Sequence, residues 1–351
     1  MFCACSGADL AHLPRTDLRQ GGGRHEFLEQ CAFLRCLHRA FVSAVCAADA
    51  HKPWPTRHVR VIVPFAAGSV NDLAARLYAD GLSKIWRQPV VIENKPGAET
   101  NIGTAAFSSA HDDHTLLYGV ASTLTVNPLV FGTMPFDLAQ DLVPISAGAS
   151  AILLVAVHIG VPARSLADLA RLAQDEPGKL LWGSGPVLPR YVFTAFLKRR
   201  GLDMLYVPYR DVATPQADLG EGRLQVLVTS VLASNAPVQS GKARIIAVTS
   251  SQRAPMLPDV PTAAEAGYPE MTIDGLSGFF GWRDMPSALR DKISADIQAV
   301  AQDPETRARM MASGLLLLGT TPAQFAAAIE DQRVRVGEIA RLIDLKALSS
   351  K

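Results

Sequence analysis

The residues with the clearest metal-ligand chemistry are His111-Asp112-Asp113-His114, two imidazoles flanking two carboxylates. Such a set suits a divalent ion only where the fold converges it. It sits just before the apolar run Thr115 to Val120, which reads as a strand. The cluster therefore falls in a helix-to-strand turn. In an open parallel sheet those turns lie at the amino ends of strands, while ligands sit at the carboxyl ends. The spacing predicts a solvated turn. Gly183-Ser184-Gly185 is the second candidate. A serine there is a nucleophile only with a base in reach, and the G-x-S-x-G elbow spacing is absent. The sequence brings none of His51, His58, His111, His114 or His158 near it. No G-x-G-x-x-G, Walker loop or H-E-x-x-H is present. The expectation is a protein with no catalytic residue, no metal and no cofactor, and so not an enzyme.

The cysteines narrow the chemistry further. Cys3, Cys5, Cys31, Cys36 and Cys46 all precede residue 47, so nothing beyond offers a thiolate or a disulfide. Their spacing matches no zinc pattern. Ala40 to Ala48 is a short apolar run behind Arg35, His38 and Arg39, followed by Ala48-Asp49-Ala50. That order reads as a weak export signal with a small-x-small cleavage site, making residues 1–50 a signal peptide or a disordered extension. No stretch reaches the roughly 18 apolar residues of a membrane helix. Lys and Arg total 34 against 33 Asp and Glu, with no basic stripe, which argues against nucleic acid as a partner.

The elements that must position any site alternate from Arg57 onward. Val59 to Val63, Val90 to Ile92, Thr115 to Val120 and Ile152 to Val157 read as strands. So do Leu180 to Trp182, Leu205 to Val207, Leu224 to Val228 and Ile245 to Val248. Ser69 to Asp72 and Ser165 to Asp168 open helices with S-x-x-D caps, and Thr321-Pro322-Ala323-Gln324 opens another with Pro at its first position. Alternation of this kind implies parallel sheets covered on both faces. The number of strands predicts two sheets.

The positive signal lies at the strand ends. Four loops of small or polar residues run into helix starts: Phe65-Ala66-Ala67-Gly68-Ser69-Val70-Asn71-Asp72, then Ala98-Glu99-Thr100-Asn101, then Ser122-Thr123 with Asn127, then Ser184-Gly185. Every α/β protein has such turns, so the spacing alone only suggests a site. Small side chains leave backbone N–H groups bare, and helix dipoles favour anions there. Micromolar binding needs about 8 kcal/mol. Charge-assisted hydrogen bonds contribute roughly 1.5–3 kcal/mol each. Four to six donors would then hold a carboxylate.

These residues also carry a resemblance. Arg57-x-Val59-Arg60-Val61-Ile62-Val63-Pro64-Phe65 with Gly68, Asp72 and Ala75-Arg76-Leu77 resembles the opening of the Bug-type solute receptors of tripartite tricarboxylate transporters. The match continues through Gln88 to Ala98, Asn101-Ile102-Gly103, Asn127-Pro128, Pro177-Gly178-Lys179-Leu180 and Val207-Pro208-Tyr209. It ends with Gly241-Lys242, Ala247 to Ser250, Leu257 to Thr262 and Glu265-x-Gly267, so it spans residue 54 to the C-terminus. The resemblance implies an α/β, two-lobed periplasmic binding protein fold of type II, each lobe a mainly parallel sheet flanked by helices. Lobe one would hold 51–150 and 276–351, and lobe two 151–275, with the second crossing somewhere in 249–276. It implies a monomer that captures a small carboxylate (di- or tricarboxylate, amino acid or aromatic acid) in the periplasm for membrane permease subunits. Alternatives are an orphan receptor that signals to a sensor protein, a hydrolase in the same cleft, or a copy that has lost its ligand.

Site residues implied by position are Phe65 to Ser69, Asn71 and Asp72, then Ala98, Glu99, Asn101, Ser122, Thr123 and Asn127. Lobe two adds Ser184, Gly185, Arg190, Tyr209 and Thr229. The chain departs from the family in these loops: Ala66-Ala67-Gly68-Ser69 replaces Pro-Pro-Gly-Gly, Glu99-Thr100 replaces two glycines, and Thr229 stands where an Asp is common. Pro186 and Pro189 remove N–H donors. Arg190 either clamps a distal carboxylate or is a solvated side chain at a helix start. Glu99 either meets a ligand amine or only favours its helix N-terminus.

Overall fold

The computed structural model describes residues 54–185, 188–209 and 213–346. The expected export signal, the five cysteines, His51, Pro186 and Val187 lie outside the described residues.

The chain begins β1 (Val59–Val63), α1 (Val70–Trp86), β2 (Val90–Asn94), a 3-10 turn (Ala98–Thr100), α2 (Asn101–Ser108) and β3 (Thr115–Val120). It continues α3 (Ser122–Thr125), α4 (Asn127–Val130), β4 (Val143–Ala151), β5 (Leu153–His158), α5 (Leu166–Asp175), β6 (Leu181–Ser184) and α6 (Leu188–Arg200). Next come β7 (Leu205–Tyr206), α7 (Thr214–Gly220), β8 (Val226–Ser230), α8 (Val231–Gln239) and β9 (Ala243–Val248). It closes with β10 (Gly275–Gly281), α9 (Ser287–Gln302), α10 (Pro304–Ala312), β11 (Leu315–Leu317) and α11 (Pro322–Leu342). No helix among the described residues is long and apolar enough to cross a membrane.

Two sheets form, in the orders β11-β4-β10-β3-β1-β2 and β7-β6-β8-β5-β9. Side-chain alternation along a strand covers both faces of each. Val59, Val61 and Val63 join Leu77 and Leu82 of α1 and Ile297 of α9 in one buried cluster. Ile62 joins Phe107 of α2, Phe280 of β10 and Phe325 of α11 in another. In the second sheet, Val155 and Val157 share a core with Leu166 and Phe196, whereas Leu154 and Ala156 share one with Leu219 and Val231. Helix α11 serves both sheets: Phe325 and Ile329 pack in the first core, while Val336 and Ile339 belong to the cluster of Val192 and Phe196.

The two-sheet α/β expectation holds, with one correction: each sheet is mixed. The β2-β1-β3 and β7-β6-β8 units are parallel. The remaining pairs, β10 with β3 and β4, β11 with β4, and β5 with β8 and β9, are antiparallel. The antiparallel pairs gather around the strands at the crossing, β4 and β5. Strands β4 and β5 form one run broken only at Ile152, whose N–H donates to Gly314 O at 3.3 Å and whose carbonyl accepts from Val231 N at 3.1 Å. On its return to the first sheet the chain, as β10, runs antiparallel to the outgoing β4.

Candidate functional site

A cavity of about 350 Å³ lies at the strand ends where the two sheets face each other. The first sheet contributes Phe65, Gly68, Ser69, Asn71, Val120 and Ser122. The second contributes Gly185, Leu188, Leu232, Thr229 and Ser230, and α11 adds Gln332.

The loop after β1 is built by its own acid. Asp72 is buried and accepts from Gly68 N at 2.8 Å, Arg76 Nε at 3.0 Å and Asn94 Nδ2 at 2.9 Å. Burial raises its carboxyl, but Arg76, the Gly68 N–H and Asn94 outweigh burial and hold it below the ordinary value. Its role is therefore to shape the loop, and Gly68 takes the left-handed φ of 80° that the turn requires. In the first turn of α1, Asp72 N donates to Ser69 Oγ at 3.2 Å and Leu73 N to Ser69 O at 2.9 Å. Helix geometry leaves the N–H groups of Val70 and Asn71 without an intrahelical acceptor, and both residues line the cavity.

The second sheet repeats this arrangement. Ser230 caps α8, its Oγ accepting from Ala233 N at 3.4 Å, while Val231 N is taken by Ile152 O. The Leu232 N–H remains, again on a cavity-lining residue. Two helix starts that follow strands of different sheets thus line one space with first-turn residues. No cavity-lining residue among those described is acidic, basic or a thiol.

The second loop holds the other predicted residues together. Asn127 Nδ2 donates to Glu99 O and to Asn101 Oδ1, both at 2.8 Å, and Thr100 Oγ1 meets Thr123 Oγ1 at 2.7 Å. These bonds fix Ala98, Glu99 and Thr100 at φ of 44°, 50° and 79°. Three successive side-chain-bearing residues in the left-handed region store strain at this turn. Burial raises the Glu99 carboxyl, and the Arg190 charge opposes that only in part.

Of the remaining predicted residues, Ala66 and Ala67 are exposed on the first loop and do not line the cavity. Arg190 lies over the Tyr206 ring, 4.3 Å from its centroid, and is not a lining residue. Tyr209 donates to Asp218 Oδ2 at 2.8 Å and stands outside the lining as well. Ser184 Oγ is buried without a hydrogen-bond partner among the described residues. The Asp112-Asp113-His114 group is consumed by its own turn. Thr115 Oγ1 donates to Asp112 at 2.8 Å, Thr56 N donates to His114 Nε2 at 3.0 Å, and Arg57 pairs with both acids. Burial pushes Asp112 up, but Arg57, Thr115 and the His114 N–H bring it down to about 2.

Sequence reasoning missed the apolar walls: Val120, Leu153, Leu188, Leu232 and Leu276. Nothing local separates them from core residues.

Comparison with known proteins bears on the same residues. Residues 74–345 match the model of the family described as "Tripartite tricarboxylate transporter family receptor". BugT of Bordetella pertussis is 28% identical over 306 residues, spanning 86% of this chain and 93% of BugT. The solved structure described as "R. palustris Rpa4515 with adipate" superposes with a TM-score of 0.75 at 29% identity, covering 83% of this chain and 98% of that one. Periplasmic binding protein BugD superposes with a TM-score of 0.71 at 26% identity, over 82% of this chain and 98% of BugD.

Proposed function

The chain belongs to the tripartite tricarboxylate transporter receptor family, and on that premise we propose that it captures a small carboxylate between its two sheets for membrane permease subunits. In this reading it acts in the periplasm as a monomer. Its lobes divide at Ile152 and again between Val248 and Gly275, where strand membership changes sheet. Ser69, Asn71, Ser122, Gly185 and Thr229 contact the ligand, and Asp72 and Asn127 hold the loops that present it.

One observation carries the reading: Val70, Asn71 and Leu232, first-turn residues whose N–H groups have no intrahelical acceptor, line one cavity from two helix starts. Helix starts stabilise an anion without any cationic side chain. The neutral side chains of the lining, among the described residues, leave backbone and hydroxyl donors to hold the anion. The adipate named with the Rpa4515 structure is a carboxylate of suitable scale.

The test is calorimetry and thermal denaturation of the full chain against monocarboxylates, dicarboxylates, tricarboxylates and amino acids. The expected result is saturable binding of at least one carboxylate, with stabilisation of about 2.7 kcal/mol at a hundredfold excess over Kd and no turnover. A panel in which no carboxylate binds would sink the proposal.

A further inference from the structure

We propose that the protein carries a second binding site, for a small organic ammonium ion with an apolar body, beside the two segments that join its sheets.

A pocket of about 320 Å³ lies there, at the small end of the range for small-molecule sites. Ser150 comes from the end of β4, Ser250 and Asp274 from either end of the segment between β9 and β10, and Asp331 and Arg335 from α11. Ile273, Leu276, Leu316 and Leu318 give it an apolar side. Ser251 and Asp331 are exposed, so the pocket opens to solvent.

The first observation that points to a ligand is Ser150. It is 5% exposed, and its buried Oγ has no hydrogen-bond partner among the described residues. Ser150 stands opposite Leu276 of β10 and Leu316 of β11 in the sheet register. Cross-strand neighbours share a face of the sheet, so the Ser150 side chain lies on the face that borders the pocket. A buried hydroxyl with no protein partner calls for one from outside the chain.

The second is charge. Arg335 Nε donates to Asp331 Oδ2 at 3.0 Å, so those two charges answer each other. Asp274 is half-buried and forms no ion pair among the described residues. Burial raises its carboxyl above the ordinary value, and the Ser251 N–H, the Arg335 charge and the Ser251 hydroxyl oppose that only in part. A cation beside Asp274 would offset the cost of burying its charge. An ammonium group has three donors and no acceptor, which suits the Asp274 carboxylate and the Ser150 hydroxyl together. Its hydrocarbon would bury apolar surface against the leucines. An anion would meet two carboxylates and one guanidinium that is already paired.

Leu276 and Gln332 line both this pocket and the larger cavity, so the methyl groups that report on this pocket alone are those of Ile273, Leu316 and Leu318. The experiment is methyl NMR titration of the full chain at pH 7 with n-butylammonium chloride, against ammonium chloride and n-butanol at matched ionic strength. n-Butylammonium is expected to saturate, at least tenfold tighter than either control, and to shift those three residues. Asp274→Asn is expected to weaken it at least tenfold. Ser150→Ala removes a hydroxyl that bonds nothing in the ligand-free chain, so it should keep the melting temperature and lose affinity several-fold. The proposal fails if n-butylammonium binds no tighter than n-butanol, or if the shifts miss Ile273, Leu316 and Leu318. It fails equally if either variant melts like the unaltered chain and keeps full affinity. None of the probes carries a carboxylate, so these outcomes leave the receptor reading untouched.

Discussion

Glu99 and Arg190 stand in elements that follow strands of opposite sheets, and each keeps one buried polar atom, Oε2 and Nε, without a hydrogen-bond partner among the described residues. They feel each other electrostatically without forming an ion pair. Burial wins at Glu99 and raises its carboxyl above the ordinary value. A raised acid binds its proton more tightly in the folded state. Its contribution to stability is therefore full below the unfolded value, near pH 4, and is lost as pH rises through the folded value. Glu99→Gln is expected to melt higher than the unaltered chain at pH 7. The gap should close as the pH approaches 4. Melting curves at the two pH values check this, and a constant gap would contradict it.

Asp72 behaves in the opposite sense. Its carboxyl is held below the ordinary value against burial by Arg76, Gly68 N–H and Asn94. Its stabilisation is present above about pH 4 and is lost as pH falls through the folded value. Asn at this position keeps the shape but has one acceptor oxygen where Asp72 uses two. Asp72→Asn is expected to lose about 1–3 kcal/mol at pH 7 by denaturant titration, with the loss shrinking in acid. It should also weaken carboxylate binding, because the β1–α1 loop carries the cavity-facing amides.

The helix starts were legible because capping is local. Ser69, Ser165 and Thr321 with Gln324 all cap as their sequence spacing predicts. The parallel units were legible for the same reason, since each is a contiguous strand–helix–strand run. Strand β10 was not. Its sequence, Gly275-Leu-Ser-Gly-Phe-Phe-Gly281, is poor in β-formers, and it is held by β3 and β4, more than a hundred residues away in sequence. Gly278 is required there because a Cβ would come within 2.8 Å of both Ala147 Cα and Phe325 Cζ. The polar half of the cavity was visible in the loops. The apolar half was not, because Leu153 or Leu276 looks like any core residue until two sheets leave a space beside it.

Glycine positions divide the same way, and two of them make a matched pair. A Cβ on Gly103 would lie 2.6 Å from Lys95 O and 2.7 Å from Pro64 Cβ. The Lys95 side cannot move freely, since its N–H donates to Val63 O at 2.9 Å. Gly103→Ala is expected to destabilise by about 1–3 kcal/mol. Gly337, inside α11, has nothing within 4 Å of an added Cβ. Gly337→Ala is expected to stabilise by about 0.5–1 kcal/mol. Urea melts of the two variants should move in opposite directions.

The amide of Val70 permits a test of anion binding that leaves the fold alone. Val70 is the first residue of α1, a position where proline is accepted because its N–H has no helical acceptor. The preceding Ser69 sits at φ −69° and ψ 162°, a conformation that proline allows in its neighbour. Val70→Pro therefore deletes one cavity-facing donor and leaves the helix start in place. Val70→Ala trims the side chain but keeps the N–H, so comparing the two isolates the amide. A charge-assisted hydrogen bond of about 1.5–3 kcal/mol corresponds to roughly a ten- to 150-fold loss of affinity. Calorimetry should find that loss in Val70→Pro relative to Val70→Ala, with the two ligand-free proteins melting within a few degrees of each other. Equal affinities would mean that the amide at the start of α1 does not touch the ligand, and the anion would have to be held elsewhere.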